Sequence, residues 1–440
     1  MANTYLSRTF SASNRKTMTF SFWCKPSRST AGTAERMIST GSATSQFWIK
    51  FENDQLDIQS NYYALHLRTT KVFRDRSAWY HIVVEIDTTQ ATSSNRVKVY
   101  VNGVQETSFA TEIYPSQNTD LIWNSALTND IGRYGAGNQE YFDGSMSHIH
   151  LIDGTAYDAT AFGQYDANGV WTIKTSPSVT YGTNGFFILK DGNSVTDQSG
   201  NSNNFTVGGG TLTKTEDNPS NVFATFNPLT LHGNSITLSN GNTKATTSAG
   251  AWRTTNSTIG VSSGKWYFEC KAINTSESAY LILGIQSDNL INNANSYIGD
   301  TFYSYGYKFY SGQIIANENN GGGNNAWGNI VSNNQIVGVA VDLTNSKLYF
   351  SINGVWQNSG DPTSGVTGTG GFSIQSGETY FAGLGMGNNG ANPTAELNFG
   401  NGYFGTTAVS SAGTNASGIG IFEYDVPTGY TALSTKGLNL

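Results

Sequence analysis

The chain has 440 residues and a net charge of −7; 12% of its residues are charged, 12% are aromatic and 50 are glycine. The charged fraction is half of the usual share of about 25%, and the aromatic fraction is too high for a disordered chain. No basic stripe could neutralise phosphate groups, so nucleic acid is not expected as a partner. The composition predicts an ordered, turn-rich protein with aromatic and β-branched cores.

The start of the sequence does not look like a signal peptide, because residues 1–8 contain no apolar segment. We therefore expect the chain to be made in a cytoplasm. The longest apolar stretches, such as residues 80–86, are too short to span a bilayer, so membrane insertion is not expected. Cys24 and Cys270 are each flanked by strand residues, which favours two buried free thiols over a disulfide.

In chain order, the first 155 residues alternate between apolar and polar positions in short segments, for example at Phe20, Phe22 and Cys24. No segment sustains a helical period over ten residues, and turn residues separate the segments. The pattern predicts an all-β fold with two tandem β-sandwich, or jelly-roll, modules. We expect modules at 1–155 and 231–405, a β-rich connector that packs on the first module at 156–230, and a flexible spacer with a C-terminal peptide at 406–440.

Two phrases of nearly the same character occur far apart in the chain, at residues 97–104 and 348–355. Each is an alternating strand that runs into Asn-Gly, and each follows an apolar strand that ends in aspartate, at Asp87 and Asp342. Asn-Gly after such a strand predicts a hairpin with a type I′ turn, since both residues tolerate positive φ. The same strand pair is therefore expected once in each module.

Short phrases of the first module resemble laminin-G or concanavalin A-like lectin/glucanase domains. These phrases are Ser21-Phe22-Trp23, Trp79 to Val84, Val99 to Gly103, Ile131-Gly132-Arg133 and Phe142 to Met146. The second module resembles an SPRY domain at Gly264 to Glu269, Leu283-Gly284-Ile285, Val337 to Asp342 and Leu348 to Gly354. Residues 197–204 and 427–430 are similar to phrases beside such domains in structural proteins of tailed phages, particularly marine ones. The resemblance implies the fold more strongly than a function.

A polysaccharide-degrading activity is the sharpest enzymatic alternative, because the resemblance includes β-glucanases with a motif similar to Glu-x-Asp-x-x-Glu. Alternation along a strand would place such carboxylates on one face, as nucleophile and acid. Glu85 and Asp87 fit this motif, but Gln90 stands where the third carboxylate is required, so no enzymatic activity is expected. His148 and His150 lack a third ligand at metal spacing, and we expect them to be hydrogen-bonded at a sandwich edge.

Calcium is the one cofactor that the sequence leaves open. Asp197, Ser199 and Asn201 alternate oxygen ligands in a glycine-containing loop, but Gly208 stands where an EF-hand needs glutamate. The alternative is a turn whose side chains satisfy its own backbone. Asp143, beside the first module, is an equally weak candidate ligand.

Carbohydrate binding needs aromatic faces that stack on sugar rings and amides that hydrogen-bond hydroxyl groups. Loops of both modules offer such residues, although aromatic side chains are also ordinary core material in sandwiches. The candidate ligand-binding residues are Tyr134, Asn138 and Tyr141 in the first module and Tyr303, Tyr305, Asn319, Asn324, Trp327 and Trp356 in the second.

These features predict a surface protein of a tailed-phage virion: a fibre, an appendage or a head decoration that binds host-surface glycans or other virion proteins. Many copies on one particle would raise avidity, so a homo-oligomer is expected, and a trimer if the protein is a fibre. Such a protein would be made in the host cytoplasm, released by lysis and carried on the virion surface. Two alternatives stay open: a polysaccharide depolymerase, and a structural adaptor whose SPRY-like module docks another virion protein.

Overall fold

The computed structural model describes residues 3–42, 45–190, 195–231, 236–248, 250, 252–274, 279–287, 297–316, 324–388 and 392–439. The chain divides into two compact units, residues 1–214 with 218–220 and residues 215–217 with 221–440. Both units are β-sandwiches, and in the described ranges the helical pieces are three-residue 3₁₀ turns. The predicted all-β class is confirmed. No helix in the same ranges is long and apolar enough to cross a membrane.

The first unit is built from two large antiparallel sheets. Its strands are β1 Tyr5–Thr9, β2 Thr17–Pro26, β3 Ala34–Ser42, β4 Ser45–Glu52, β5 Gln55–Ser60, β6 Leu65–Val72, β7 Tyr80–Asp87, β8 Val97–Val101, β9 Val104–Glu106, β10 Phe109–Ile113, β11 Thr128–Ile131, β12 Gly144–Asp153, β13 Gly163–Tyr165, β14 Trp171–Ile173, β15 Phe186–Ile188 and β16 Thr206–Gly209. The eight-stranded sheet has the order β10-β6-β5-β4-β3-β11-β1-β16, and the six-stranded sheet has the order β15-β12-β2-β7-β8-β9. Strands β13 and β14 form a separate hairpin.

The core of the first unit lies between these two sheets, because alternate side chains of each strand face inward. Phe20 and Cys24 of β2 and Phe47 and Ile49 of β4 have essentially no exposed surface. Cys24 and, in the second unit, Cys270 are free and buried, as predicted. Burial raises the pKa of both thiols far above its ordinary value.

A second apolar layer covers the outer face of the six-stranded sheet. We call residues 155–182 the cover, and its Ala159 and Phe162 are buried against Val83 of β7 and Ile152 of β12. The cover belongs to the predicted connector, of which residues 156–214 are part of the first unit. Residues 221–230 instead belong to the second unit, so the boundary between the two units lies before residue 230, the predicted end of the connector.

Three buried histidines stand on this sheet: His81 and His150 contact the cover, and the ring of His148 lies 5.6 Å from that of Phe187 on β15. Trp171 of the cover donates from Nε1 to Nδ1 of His81 at 3.0 Å, which places the ring proton of His81 on Nε2, 2.9 Å from Ser21 Oγ. His148 and His150 stand on β12, which lies between β15 and β2. The prediction that they occupy a sandwich edge is therefore wrong, because β15 extends the sheet beyond them.

The second unit repeats the two-sheet plan with different connections. Its strands are β17 Ile236–Ser239, β18 Lys244–Thr247, β19 Arg253–Val261, β20 Lys265–Ile273, β21 Ala279–Ser287, β22 Ser304–Lys308, β23 Gln313–Ala316, β24 Asn324–Ala326, β25 Ile336–Asp342, β26 Lys347–Ile352, β27 Val355–Trp356, β28 Phe372–Ser373, β29 Tyr380–Asn388, β30 Thr394–Asn398, β31 Tyr403–Phe404, β32 Thr407–Ala408 and β33 Thr431–Ala432. One sheet has the order β17-β18-β30-β20-β25-β26-β27, with β28 on β26 and β33 on β20, and the other has the order β19-β29-β21-β22-β23-β24.

The C-terminal residues form part of the second unit. We call residues 410–433 the strap; its Phe422, Val426 and Tyr430 are buried against Tyr267 and Tyr349 on the outer face of the nine-stranded sheet. The prediction of a flexible spacer and peptide at 406–440 therefore differs from the structure. Glycine, serine and threonine indicated flexibility, but the apolar residues among them supply enough buried surface to order the segment.

The repeated Asn-Gly phrases form two-residue hairpins, as predicted. Asn102 and Gly103 have φ of 48° and 81°, and Asn353 and Gly354 have φ of 48° and 78°. Each asparagine also extends its neighbouring strand, because its Oδ1 accepts from the backbone N–H of His81 at 2.8 Å or of Ile336 at 2.9 Å. The turn side chain thus adds one rung to the ladder between the paired strands.

Each turn glycine is also covered by an aromatic ring. A Cβ on Gly103 would lie 2.3 Å from the indole of Trp171 in the cover, and a Cβ on Gly354 would lie 2.7 Å from the ring of Tyr424 in the strap. The same hairpin therefore contacts the segment that covers the outer face of a sheet in both units.

We expect Gly103→Ala to lower the free energy of unfolding by about 2–4 kcal/mol, because the new methyl group meets both a left-handed backbone and the indole of Trp171. Gly32→Ala is the matched control, since Gly32 has φ of 72° and a Cβ added to it would have no atom within 4 Å. Urea titration should show the smaller loss for Gly32→Ala. Equal losses for the two variants would contradict the packing of Trp171 on the turn.

Candidate functional site

The outward-facing residues of β3 to β6 form a surface that we call the front face. Alternation sends Phe47, Ile49 and Leu56 into the core and the intervening residues outward. Register places Arg36 opposite Lys50, Lys50 opposite Asp57 and Asp57 opposite Arg68. The front face comprises these strand residues, Arg36, Gln46, Trp48, Lys50, Asp57, Gln59, His66 and Arg68, together with Tyr134, which packs on Arg36. Its central row therefore carries charged side chains across four strands.

Arg36 holds two aromatic rings at one side of the front face. Its guanidinium lies 4.4 Å from the ring centroid of Trp48 and 3.8 Å from that of Tyr134. Nε of Arg36 donates to Glu140 at 2.6 Å, and Nη1 donates to Oε1 of Gln46 at 2.9 Å. Because a planar guanidinium can stack and form directed hydrogen bonds at once, the two rings are fixed in position.

Asp57 anchors the centre of the front face. It is fully buried and accepts hydrogen bonds from Nε1 of Trp48 at 2.7 Å, Nε of Arg68 at 2.7 Å and Nε2 of His66 at 3.0 Å. Burial alone would raise the pKa of Asp57, but these hydrogen bonds and the charge of Lys50 lower it to about 2. The carboxylate therefore stays ionised and positions its neighbours.

The front face presents partly exposed aromatic rings that pack on buried charged side chains. Trp48 and Tyr134 are each partly exposed, whereas Arg36 is only 4% exposed. Gln59 lies between Trp48 and His66 in the sheet, and its buried Oε1 accepts no hydrogen bond from any described residue. This oxygen has essentially no accessible surface, so Gln59 belongs to the buried support of the rings.

Two tyrosines that sequence reasoning missed border this surface. Tyr62 and Tyr63, at the β5–β6 turn, are 63% and 54% exposed and have φ of 50° and 67°. A left-handed conformation is unfavourable for bulky residues, and such strain is concentrated at functional sites. Asn61 secures the turn, because its Nδ2 donates to the backbone oxygen of Asp120 at 2.9 Å. The sequence signal that could have identified this part of the surface is the pair of adjacent tyrosines in a short polar turn.

The predicted loop of the first unit is only partly in this surface. Tyr134 packs on Arg36 and accepts a hydrogen bond from Nε2 of Gln46 at 2.9 Å. Asn138 accepts from Arg133 at 2.6 Å, and Tyr141 lies 6.4 Å from Tyr5, whose ring stacks on the Arg133 guanidinium. Asn138 and Tyr141 therefore belong to a neighbouring cluster over β1.

The predicted residues of the second unit do not converge on one surface. Tyr305 is fully buried in the core, so its selection as a ligand-binding residue is wrong. Trp327 and Tyr303 pack against the same core, and Trp356 packs beside Tyr349 under the strap. Asn319 lies outside the described residues, and Asn324 is described only as the first residue of β24.

The predicted calcium loop satisfies its own backbone. Asp197 accepts from the backbone N–H groups of Phe187, Ser199 and Asn203 at 2.8–2.9 Å and from the hydroxyl of Ser199 at 2.7 Å. Asn201 donates to backbone oxygens of residues 182 and 185. These donors use the acceptor positions that a cation would need. Among the described residues, no group of three or more acidic, histidine or cysteine side chains is arranged to hold a metal.

Asp143 lies 3.8 Å from Arg28, and burial raises its pKa. Arg28 also pairs with the buried carboxylate of Glu35, whose Oε2 accepts from the backbone N–H of Asp143 at 3.1 Å. Burial raises the pKa of Glu35 to about 7. Asp143 is thus part of a closed ion-pair network.

The two acids that fit the glucanase-like motif, Glu85 and Asp87, are hydrogen-bonded to neighbouring side chains. Glu85 accepts from Lys98 at 3.0 Å and from the hydroxyl of Tyr100 at 2.8 Å. Asp87 accepts from the backbone and hydroxyl of Thr89 and from Gln90 at 2.6 Å. They are half-buried and hydrogen-bonded rather than freely solvated.

The two β-sandwiches make this an all-β protein of two domains, and a family model matches each of them. Residues 2–160 match the laminin G model described as the concanavalin A-like lectin/glucanases superfamily, and residues 265–375 match the SPRY domain. The chain therefore carries a concanavalin A-like domain followed by an SPRY domain, as the sequence resemblance predicted. The first match includes the whole front face, and the second includes β20 to β28.

Two solved SPRY domains align with part of this chain. The crystal structure of the SPRY domain of human HERC1 has 12% sequence identity and a TM-score of 0.29, covering 39% of this chain and 96% of that chain. A second human SPRY domain has 13% identity and a TM-score of 0.27, covering 37% of this chain and 94% of that chain. No curated protein matches the sequence.

Proposed function

We propose that the chain is a glycan-binding surface protein of a phage virion and that the front face is its carbohydrate site. The observation that carries this proposal is the pair of partly exposed rings, Trp48 and Tyr134, that both pack on the guanidinium of Arg36. Rigid aromatic side chains bind at low entropic cost and supply an apolar surface for the CH face of a sugar. The concanavalin A-like domain supports a carbohydrate-binding role.

The polar part of the front face supports the same ligand class. The guanidinium groups of Arg36 and Arg68 are paired with carboxylates at 2.5–2.7 Å, and Nε2 of His66 lies 3.0 Å from Asp57. A surface with balanced charge and many hydrogen-bonding groups suits a polyhydroxylated ligand better than a highly charged one.

We expect Tyr63→Ala and Trp48→Ala to weaken glycan binding. For Trp48→Ala the expected loss of affinity is about 30-fold, because truncating an aromatic side chain at the centre of a binding site costs about 2 kcal/mol of binding free energy. The full chain would be screened on a glycan array, and the dissociation constant of the best ligand measured by calorimetry. Tyr165→Ala is the matched control, because Tyr165 and Tyr63 are both 54% exposed. Equal weakening by Tyr63→Ala and Tyr165→Ala, or silence across the array, would contradict the assignment.

The virion assignment is tested separately. Mass spectrometry of purified particles should detect this chain as a component, and its absence would remove the virion proposal while leaving glycan binding intact. Multi-angle light scattering would measure the oligomeric state, for which we propose a homo-oligomer and, for a fibre, a trimer. Display of many weak sites would raise avidity without new contacts.

A second candidate function is docking of another virion protein by the SPRY domain. Exposed apolar side chains of the second unit favour it, among them Val355 at 67% and Val366 at 88%. Cross-linking of intact particles should then join the second unit to a particle protein, and Val366→Asp should abolish that link. An unchanged cross-link in Val366→Asp would exclude this residue from the contact.

We propose binding without catalysis. The engagement of Glu85 by Lys98 and Tyr100 supports this, because each oxygen of the carboxylate already accepts a hydrogen bond from a neighbouring side chain. No release of reducing sugar from the glycans that bind is expected. Release that Glu85→Gln abolishes would establish a depolymerase instead.

A further inference from the structure

Four aromatic side chains gather on the outer face of the six-stranded sheet of the second unit. Trp252, Tyr280 and Tyr310 form what we call the aromatic row: the ring centroids of Trp252 and Tyr280 are 5.4 Å apart, and those of Tyr280 and Tyr310 are 4.6 Å apart. Tyr297 lies beside the row, 4.9 Å from Trp252. All four rings are partly exposed.

Glycines of β29 create the floor of this row. Tyr280 pairs with Gly387, and a Cβ on Gly387 would lie 3.4 Å from the indole of Trp252 and 3.6 Å from the ring of Tyr280. Trp252 precedes β19 and Tyr280 is on β21, so the two rings meet over β29, which lies between these strands. Gly383 and Gly385, two further outward positions of β29, are covered by Ile298. Gly387 therefore supplies the part of β29 that lies beneath Trp252 and Tyr280.

The rings also protect a small core. Ile282, Ile298 and Ile315 are at most 4% exposed, and Trp252 and Tyr297 pack on them. One face of the aromatic cluster is thus used in packing. Because the rings are held by this contact, the exposed part of the cluster is preorganised, which lowers the entropic cost of binding a ligand.

The charges around the row restrict what it can bind. The ammonium group of Lys308, which is 7% exposed, lies 5.9 Å from the ring centroid of Tyr297 and 6.0 Å from that of Tyr310. A cation of the protein therefore already faces two of the four rings, which leaves less of the cluster to a quaternary ammonium ligand. Asp300 interacts with both Lys308 and Tyr297, so the local positive charge is offset and an anionic ligand gains little.

We infer that the aromatic row is a second carbohydrate site, which stacks neutral pyranose rings of an oligosaccharide. Three adjacent, partly exposed rings with centroids 5.4 and 4.6 Å apart offer a contiguous apolar surface to the CH faces of a sugar chain, and the phenolic hydroxyl groups of the tyrosines can hydrogen-bond its hydroxyl groups. The inference deepens the proposed glycan-binding function by naming a neutral sugar class, but it uses residues of the second unit alone.

The test uses the full chain labelled with 5-fluorotryptophan, in which ¹⁹F NMR reports each of the nine tryptophans and Trp252→Phe assigns one resonance. Cellohexaose, maltohexaose and chitohexaose are titrated as neutral probes, with choline and polygalacturonate as cationic and anionic probes. We expect at least one neutral probe to shift the Trp252 resonance at saturating concentration. Choline and polygalacturonate should leave it unchanged.

Tyr280→Ala should raise the dissociation constant for that neutral probe about tenfold. Phe302→Ala is the matched control, because Phe302 is an aromatic residue of the same unit, 43% exposed and outside the row, and should leave the constant unchanged. Should Tyr280→Ala unfold, the wild-type Trp252 titration still decides the question. No response to any neutral probe, or a stronger response to choline or polygalacturonate, would overturn the inference.

The two carbohydrate sites are separated by their variants. Trp48→Ala should leave the Trp252 titration unchanged, and Tyr280→Ala should leave binding at the front face unchanged. A response at Trp252 together with silence of the front face would disprove the first site and retain the second. The reverse result would disprove the aromatic row alone.

Discussion

Replacing Glu269 by alanine is expected to lower the free energy of unfolding of the second unit by about 3–5 kcal/mol. Glu269 has no exposed surface and accepts from the strap backbone at Glu423 and Tyr424, each at 2.9 Å, and from the hydroxyl of Tyr267 at 3.0 Å. Removing the carboxylate leaves these buried donors without an acceptor, and the strap loses its central polar attachment to the sheet.

Glu269→Gln is the control for this prediction, since its amide keeps one acceptor oxygen at nearly the same volume. We expect it to fall between wild type and alanine in urea titrations. Limited proteolysis gives an independent local measurement, because release of the strap would expose cleavage sites in residues 410–433. Unfolding curves and proteolysis of Glu269→Ala that match wild type would show that apolar packing alone holds the strap.

The pH dependence of the second unit follows from the same group. Burial raises the pKa of Glu269 to about 7, against the opposing effect of the two backbone N–H groups. The folded state therefore binds a proton more tightly than the unfolded state, whose carboxyl titrates near 4.5. Proton binding by Glu269 therefore stabilises the folded second unit fully below about pH 4.5. This stabilisation is lost as the pH rises from about 4.5 to 7.

The first unit is expected to lose stability in acid through its buried histidines. Burial lowers the pKa of His81 to about 3 and lowers that of His150 well below 6.5. As the pH falls, the histidines of the unfolded chain bind protons before those of the folded chain. The stability associated with the neutral buried histidines is therefore fully present above pH 6.5 and is lost as the pH falls towards 3. Each contributes a slope of up to about 1.4 kcal/mol per pH unit.

The buried Glu35 opposes this slope, since its raised pKa makes the folded state more stable as pH falls from about 7 to 4.5. The comparison of wild type with His81→Gln/His150→Gln therefore isolates the histidine effect. We expect urea midpoints of the first unit to fall more steeply between about pH 7 and 4 in wild type than in the double variant. Parallel pH profiles would show that the buried histidines do not couple to unfolding.

Local patterns predicted much of the fold. Asn102-Gly103 and Asn353-Gly354 specify their turns through two adjacent residues, and Cys24 is buried because its strand alternates. The order of the strands within the sheets depends on distant pairings, such as β11 beside β3, which no local pattern encodes. The strap was missed for a related reason: its acceptor, Glu269, lies 154 residues before Glu423 in the chain.

The candidate site was predicted less completely. Tyr134 was selected from its loop, but its partner Arg36 is on another strand and its surface depends on the register of β3 and β4. Tyr305 and Tyr280 look alike in sequence, yet one faces the core and the other faces outward. Which face of a strand is exposed depends on the second layer that packs on the sheet, and a single strand carries no record of that layer.

The aromatic rings seated on the two hairpin glycines matter for engineering of this chain. A two-residue hairpin is ordinarily a preferred site for inserting a peptide tag, because loop tips tolerate added residues. Here an insertion after Gly103 or Gly354 would displace Trp171 or Tyr424 and detach a covering segment from the rest of its unit. Gly169 and Gly365, with no atom within 4 Å of the space a side chain would enter, are the better points for a label or an affinity tag.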